Sequence, residues 1–329
     1  MLFSVVVPIF NEAENISSLY QETCQAMDTA GLDFELILID DGSRDHSFEL
    51  AAQLAAEDSR VKAVRLRRNF GQTAAMAAGF NLASGEIIIP MDGDLQNDPR
   101  DIPQLLEKID EGYDVVSGWR KKRKDPFHRR LPSLFANWII SRMTGVGLHD
   151  YGCTLKAYRR EILAEVNLYG ELHRFVPALA HQVGARVAEI PVNHRPRQAG
   201  KSNYGIDRTL RVILDLMTVK FLLQYSTRPL QLFGKWAVGA FAASAVTGVS
   251  TLYMKFFQGL SMNRNPLLVL TAFLLFTSVQ FIALGLLGEL VTRTYHEAQG
   301  KPIYAIRDTI NIVSESTGIP NGARGLKRA

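Results

Sequence analysis

Two stretches of the chain carry no charged side chain: Trp236–Met254, with 19 residues, and Asn265–Gly288, with 24. At a helical rise of about 1.5 Å per residue they reach roughly 29 and 36 Å, enough to cross a hydrocarbon layer of about 30 Å. Core helices of soluble proteins are usually shorter and keep a polar face. The pair therefore reads as a transmembrane hairpin, closed by the short connection Lys255–Arg264. The mean hydropathy of zero averages this hairpin with a polar remainder and describes neither.

Basic residues flank the outer ends of the hairpin: Lys220, Arg228, Lys235, Arg293, Lys301 and Arg307, against Lys255 and Arg264 in the connection. The positive-inside rule then places the N-terminal region and the C-terminal tail in the cytoplasm, with the protein a multi-pass component of the inner or plasma membrane. The opening apolar run Met1–Phe10 is short, is not preceded by basic residues and is interrupted by Pro8, so it reads as a strand and not as a signal peptide. The expected division is residues 1–204 as a cytoplasmic domain and 205–229 as an amphipathic interfacial region. Residues 230–293 form the hairpin, with helices at about 236–257 and 266–290, and 294–329 form a cytoplasmic tail. Cys24 and Cys153 have neither metal-ligand spacing nor a neighbouring cysteine, so no chemistry is assigned to them.

The first 118 residues alternate β-branched runs with helical patterns. Strands are expected at Phe3–Phe10, Phe34–Asp40, Val61–Leu66, Glu86–Met91 and Asp114–Ser117, with helices near Glu12–Ala30, Ser47–Glu57, Gln72–Ala83 and Arg100–Glu111. Strands without strict alternation, separated by helices, predict an α/β fold with a largely parallel sheet covered on both faces. Ligands of such sheets sit beyond the carboxyl ends of the strands. Those ends are polar here: Asn11-Glu12, Asp40-Asp41-Gly42-Ser43, Asp92-Gly93-Asp94 and Gly118-Trp119-Arg120. Further strands are expected around Cys153–Tyr158 and Arg186–Val192, and a helix near Leu131–Thr144. The spacing over Ile206–Phe221 predicts an amphipathic helix suited to a membrane interface.

Asp92-Gly93-Asp94 follows the buried-type run Ile87–Met91. Carboxylates are ligands that a hard divalent cation prefers, and Mg²⁺ is commonly held by one or two of them together with substrate phosphates. Gln96 stands two residues further on. Asp40-Asp41-Gly42-Ser43 fits either a nucleoside-binding strand end or an N-capping turn. No glycine-rich phosphate loop follows the first strand, which argues against hydride transfer and NTP hydrolysis. The segment Arg120–Arg130 holds seven basic residues and one acid, a net +6, so the rest of the chain sums to −2. It lacks the interleaved aromatics of a nucleic-acid surface, and it suits an anionic lipid headgroup.

Taken in order, Val7-Pro8-Ile9-Phe10-Asn11-Glu12, Asp40-Asp41-Gly42-Ser43-Arg44-Asp45, Arg68-Asn69-Phe70-Gly71-Gln72 and Met91–Pro99 resemble the successive signatures of the GT-A family-2 glycosyltransferases that load polyisoprenyl phosphates. That group includes dolichol-phosphate-mannose synthase and the bactoprenol glucosyltransferases. The resemblance covers about residues 1–230, and the C-terminal hairpin is similar to the bactoprenol type. It implies a Rossmann-like nucleotide-diphospho-sugar transferase domain. It also implies a nucleotide-sugar site lined by Pro8, Phe10, Glu12, Asp40, Asp41, Ser43, Asp92 and Gln96, and Mg²⁺ or Mn²⁺ at Asp92, Asp94 and Gln96. Arg120, Arg129, Arg130, Arg195, Lys201 and Ser202 would manage the acceptor phosphate, with Asp92, Asp94, Arg120, Arg129 and Arg195 carrying catalysis.

Processive relatives carry Gln-x-x-Arg-Trp and a catalytic base, whereas the nearest string here, Gln231–Trp236, has the wrong spacing. A hydroxyl acceptor needs such a base; a lipid phosphate, already anionic, does not. The expected reaction is inverting transfer of a hexose, glucose from UDP-glucose first, to undecaprenyl phosphate at the cytoplasmic face. The alternatives are another donor (UDP-N-acetylglucosamine, a UDP-aminopentose or GDP-mannose) or a catalytically silent scaffold or flippase component. Asp150 is a candidate for sugar hydroxyls or for a loop turn. Gly239, Ala242, Ala243, Ala245 and Gly248 permit close helix packing, which leaves a homo-oligomer open.

Overall fold

The computed structural model describes residues 1–121, 141–142, 145–166, 168, 172–196, 229–262, 265–298 and 303–312. Arg129, Arg130, Lys201 and Ser202 lie outside the described residues, as do the amphipathic stretch 206–221 and nearly all of the expected helix 131–144. The chain divides into two compact units, one formed by Met1–Leu216 with Pro302–Ala329 and the other by Met217–Lys301.

The first unit is built on β1 (Leu2–Ile9), β2 (Asp33–Asp40), β3 (Val61–Leu66), β4 (Ile87–Pro90), β5 (Val115–Trp119), β6 (Lys156–Arg159), β7 (Val187–Pro191) and β8 (Ile306–Ile310). They form one sheet in the order β7-β5-β6-β4-β1-β2-β3-β8. Its helices include α1 (Ala13–Thr29), α2 (Ser47–Glu57), α3 (Gln72–Leu82), α4 (Ile102–Asp110), α5 (Arg160–Ala164) and α6 (Val176–Gln182). The central strands are buried on both faces, as their unbroken apolar runs require. Val5, Val7, Leu36 and Leu38 pack on one face with Ile16, Leu19 and Met27 of α1. Val6, Ile37 and Ile39 pack on the other with Ala74, Ala75 and Ala78 of α3. The small residues of α3 let it lie close to the sheet; a Cβ at Gly79 would sit 2.2 Å from Val6 Cγ1.

Two strands depart from the expected parallel arrangement. β6 runs antiparallel between β4 and β5, with Ile88 opposite Tyr158 and Ser117 opposite Lys156. Its first residue therefore lies beside the carboxyl ends of its neighbours, where Asp92 and Arg120 emerge. The second departure lies in the segment 294–329, read above as a tail. Within it Ile306–Ile310 forms β8, antiparallel to β3, with Ala63 opposite Ile310. The Ala305 carbonyl accepts a hydrogen bond from Arg67 N at 2.9 Å, and Asn81 Nδ2 donates to the Tyr304 hydroxyl at 3.0 Å. The apolar side chains of Tyr304 and Ile306 join the core on the α3 face, and that burial fixes the strand on the sheet edge.

The second unit consists of α7 (Pro229–Gln258) and α8 (Pro266–Ala298). Trp236, Phe241, Val249, Phe273 and Phe276 are each more than half exposed. The helices meet along small and hydroxylated residues: Ser244 Oγ donates to the Thr271 carbonyl at 3.0 Å, Thr271 Oγ1 to Thr247 Oγ1 at 2.9 Å, and Ser278 Oγ to the Ala237 carbonyl at 2.9 Å. Apolar outside and hydrogen-bonded inside is the packing of helices in a lipid solvent. Gln231–Gln258 and Pro266–Gly288 are each long and apolar enough to cross a membrane.

Candidate active site

The carboxyl ends of β1, β2 and β4 meet through their loops. Ser43 Oγ accepts from Asn11 N at 2.9 Å, Ser47 Oγ from Glu12 N at 2.9 Å and Asp45 Oδ2 from Ala13 N at 3.2 Å. The loop after β2 and the first residue of α2 thus hold the turn that leads into α1, which has no capping side chain of its own, and Asp45 accepts from its first amide. Asn11 takes a left-handed conformation at φ 56° to make the turn, one that asparagine tolerates. Phe10 is left 39% exposed at the strand end, and Glu12 Oε2 accepts from Asn15 Nδ2 at 2.5 Å.

Asp40 and Asp41 are adjacent in sequence but face different partners. Asp41 Oδ1 and Oδ2 accept from the amides of Phe70 (2.7 Å) and Gly71 (2.9 Å), so Asp41 ties that loop to the end of β2. Asp40 is 1% exposed; Oδ1 accepts from Ser43 N at 3.1 Å, and Oδ2 is buried with no hydrogen-bond partner, 3.6 Å from Arg65 Nε. Burial raises the Asp40 carboxyl above the usual aspartate range. An under-satisfied buried acceptor is costly unless something supplies a donor, and a nucleobase N–H would do so.

Gly42 joins these loops. Its φ is +72°, and a Cβ there would lie 2.6 Å from Arg68 C and 2.7 Å from Asn69 N, both backbone atoms. Gly42→Ala should cost about 1–3 kcal/mol of stability and raise the KM for the donor more than it lowers kcat. Urea unfolding and steady-state kinetics measure the two effects.

Asp92 leaves β4 half-buried. Gln72 Nε2 donates to its Oδ1 at 2.9 Å, Thr154 Oγ1 to its Oδ2 at 2.7 Å, and its own amide donates to Asn97 Oδ1 at 3.1 Å. Asp94 is buried and accepts from Gln96 N at 3.1 Å. Between them and Gln96, Leu95 adopts φ 60°, a strained conformation for a leucine that marks a constrained turn. Burial first, and then the neighbouring Asp94 carboxylate, raise the Asp92 carboxyl above its ordinary range. A divalent cation would relieve both causes. Two carboxylates without cysteine or histidine form a donor set for a hard cation, and among the described residues no group of three or more acids, histidines or cysteines could hold a metal by itself. The pair therefore fits Mg²⁺ or Mn²⁺ completed by donor phosphates. Gln96 turns its amide nitrogen to the Arg195 carbonyl at 3.4 Å.

Arg120, at the end of β5, is held in a bidentate pair with Asp150: Nε to Oδ2 at 2.7 Å and Nη2 to Oδ1 at 2.9 Å. The two side chains are 13% and 3% exposed. Asp150 also accepts from Gly152 N at 3.1 Å. It therefore fixes Arg120 and closes the turn to Gly152. Arg120 and Lys156 both bear electrostatically on Asp92. Arg195, by contrast, lies across the loop after β4: Nη2 donates to Glu22 Oε2 at 2.7 Å and stands 3.3 Å from Asp98 Oδ1. Its guanidinium ties the segment after β7 to α1 and to that loop, so the structure gives it a clamping contact in addition to any phosphate role.

Gln72, Asn97, Thr154 and Lys156 escaped the sequence reading. Gln72 ends a quoted motif, and that was its one signal; Thr154 and Lys156 reach Asp92 only because β6 is inserted beside β4.

The sequence model of Glycosyl transferase family 2 matches residues 4–166. The dodecaprenyl-phosphate galacturonate synthase of Rhizobium johnstonii is 43% identical over 95% of this chain and 94% of that protein. The undecaprenyl-phosphate 4-deoxy-4-formamido-L-arabinose transferase of Edwardsiella ictaluri is 39% identical over 93% and 94%. Among solved structures, glucosyl-3-phosphoglycerate synthase of Mycobacterium tuberculosis, in complex with Mn²⁺, UDP and glucosyl-3-phosphoglycerate, matches with a TM-score of 0.52 at 20% identity, covering 67% of this chain and 79% of that one. That likeness shows a shared GT-A fold. The near full-length likeness to the two polyprenyl-phosphate enzymes goes further, and the chain belongs to glycosyl transferase family 2, among its polyisoprenyl-phosphate glycosyltransferases.

Proposed function

We propose that the protein transfers one sugar from a nucleoside diphosphate to a polyisoprenyl phosphate at the cytoplasmic membrane face, with inversion at the anomeric carbon. The observation that carries this reading is the Asp92–Asp94 pair set beside a buried, acid-fixed Arg120. An anionic donor and an anionic acceptor both need positive charge there, and no residue needs to act as a base.

The nucleoside would lie over Pro8, Phe10 and Glu12, with Asp40 Oδ2 accepting a base N–H. Asp41 and Ser43 would shape that site through the loops they tie. Bound at Asp92 and Asp94, with Gln96 alongside, Mg²⁺ or Mn²⁺ would supply positive charge opposite the donor diphosphate. Arg120 would hold the lipid phosphate in line with the anomeric carbon, joined by Arg129, Arg130, Lys201 and Ser202 and, beyond its clamp, Arg195. A phosphate oxygen forms the new bond to the anomeric carbon. The bond from that carbon to the diphosphate breaks, and its electron pair leaves with the nucleoside diphosphate. One displacement gives one inversion.

The expectation of glucose yields first place to the sugars named in the relatives, galacturonate and 4-deoxy-4-formamido-L-arabinose. UDP-galacturonate is the first donor to test, since the 43% identical relative is named for that sugar. Thermal unfolding with Mn²⁺ and a panel of UDP-galacturonate, a UDP-aminopentose derivative, UDP-glucose, UDP-N-acetylglucosamine and GDP-mannose should show the largest stabilisation with UDP-galacturonate. A ligand at 100 times its Kd adds about 2.7 kcal/mol. Preference for UDP-glucose would restore the first expectation, and preference for GDP-mannose would overturn the uridine assignment.

Two spans with both ends in the cytoplasm complete the proposal. The return of Ile306–Ile310 to the same sheet as β1–β7 supports it, because an even number of crossings brings the chain back to the face it left.

A further inference from the structure

Lys156 opens β6 and is 2% exposed. Its Nζ donates to the carbonyls of Cys153 and, at 3.4 Å, of Tyr151. Those two carbonyls belong to the loop between Asp150 and Lys156, whose other members serve the site directly. Asp150 fixes Arg120, and Thr154 donates to Asp92 Oδ2 at 2.7 Å. One buried ammonium thus ties down the loop that orients both the cation-side carboxylate and the phosphate-side guanidinium.

The cost of placing it there is considerable. Burial, and then the Arg120 guanidinium, pull the Lys156 ammonium below the usual lysine range, while Cys153, Asp150 and Asp92 oppose the shift.

We propose that Lys156 is a positioning residue for the transfer: through Cys153 and Tyr151 it sets the 150–155 loop so that Arg120 and Asp92 meet donor and acceptor in register. This rests on the transfer reading above. The test compares full-length wild-type, Lys156→Met, Lys156→Gln and Lys156→Arg protein in detergent. It follows transfer to undecaprenyl phosphate, thermal unfolding, and the unfolding shift produced by Mn²⁺ with UDP.

Lys156→Met should lower kcat about 100-fold, the order of loss from an ångström of misplacement, with donor KM changed less than about threefold. It should keep most of the Mn²⁺–UDP shift, because donor binding changes little while the transfer step is lost. Lys156→Arg, which keeps charge and donors, should recover at least tenfold of the lost kcat. If Lys156→Met fails to fold, Lys156→Gln, which keeps amide donors without the charge, carries the same comparison. A variant that melts lower yet keeps wild-type kcat and the full Mn²⁺–UDP shift would reduce Lys156 to a structural residue and overturn the proposal. Absence of transfer by the wild-type protein with every donor would instead overturn the reading on which it rests.

Discussion

Asp94→Ala should reduce sugar transfer by roughly 10²–10³-fold or more, the scale on which removing one electrostatic contact to a transition state acts, while leaving the fold intact. The two effects separate because Asp94 is an unfavourable neighbour in the absence of a cation. It is among the causes that raise the Asp92 carboxyl, after burial. An acid whose folded pKa is raised contributes stability below its unfolded value, and that contribution is lost as pH rises through the unfolded towards the folded pKa. Above that range the Asp92 carboxyl therefore costs stability, and removing Asp94 relieves part of that cost. The metal-free variant should melt no lower than wild type. Its stabilisation by Mn²⁺ with UDP should vanish. Retention of full activity, or of the whole Mn²⁺ response, would remove Asp94 from the metal site.

The Arg120–Asp150 pair should give the largest stability effect. Both side chains are buried and the contact is bidentate. Arg120→Met takes the guanidinium partner away from a carboxylate that is 2% exposed, a change that typically costs about 3–5 kcal/mol. Asp150→Leu leaves the guanidinium stranded in the same way. The double variant removes both charges and should return most of the lost stability, since apolar replacements of buried ion pairs are often neutral or better. Activity should not return with it, because Arg120 is assigned to the acceptor phosphate. Urea unfolding of the four proteins measures the coupling. Transfer restored in the double variant would show that Arg120 serves only to neutralise Asp150.

The site was legible in the sequence where it depends on strand ends. Asp40, Asp92 and Arg120 each follow a β-branched or apolar run, and a parallel α/β sheet collects such ends on one edge. What stayed hidden depends on which strands become neighbours. β6 is four residues long, and nothing in Lys-Ala-Tyr-Arg states that it runs antiparallel between β4 and β5. Without that placement Thr154 and Lys156 have no connection to Asp92, 62 and 64 positions earlier.

Pairs of adjacent acids are similarly opaque. Asp40 and Asp41 look interchangeable, yet alternation sends one to Ser43 and Arg65 and the other to the amides of Phe70 and Gly71. The edge strand β8 was missed for a different reason. Ile306-Arg307-Asp308-Thr309-Ile310 is short, half polar and follows a long apolar helical hairpin, so only its partner β3 and the core packing of Tyr304 make it a strand.

The central claim is that this polar edge joins a nucleotide sugar to a lipid phosphate without hydrolysing it. Purified protein, Mn²⁺, undecaprenyl phosphate and UDP-galacturonate, analysed by mass spectrometry of the lipid and quantification of UDP, test it directly. The account predicts a lipid carrying one sugar on its phosphate, one UDP released per product and loss of both signals with a chelator. UDP released without a glycosylated lipid, or no product with any donor in the panel, would contradict it.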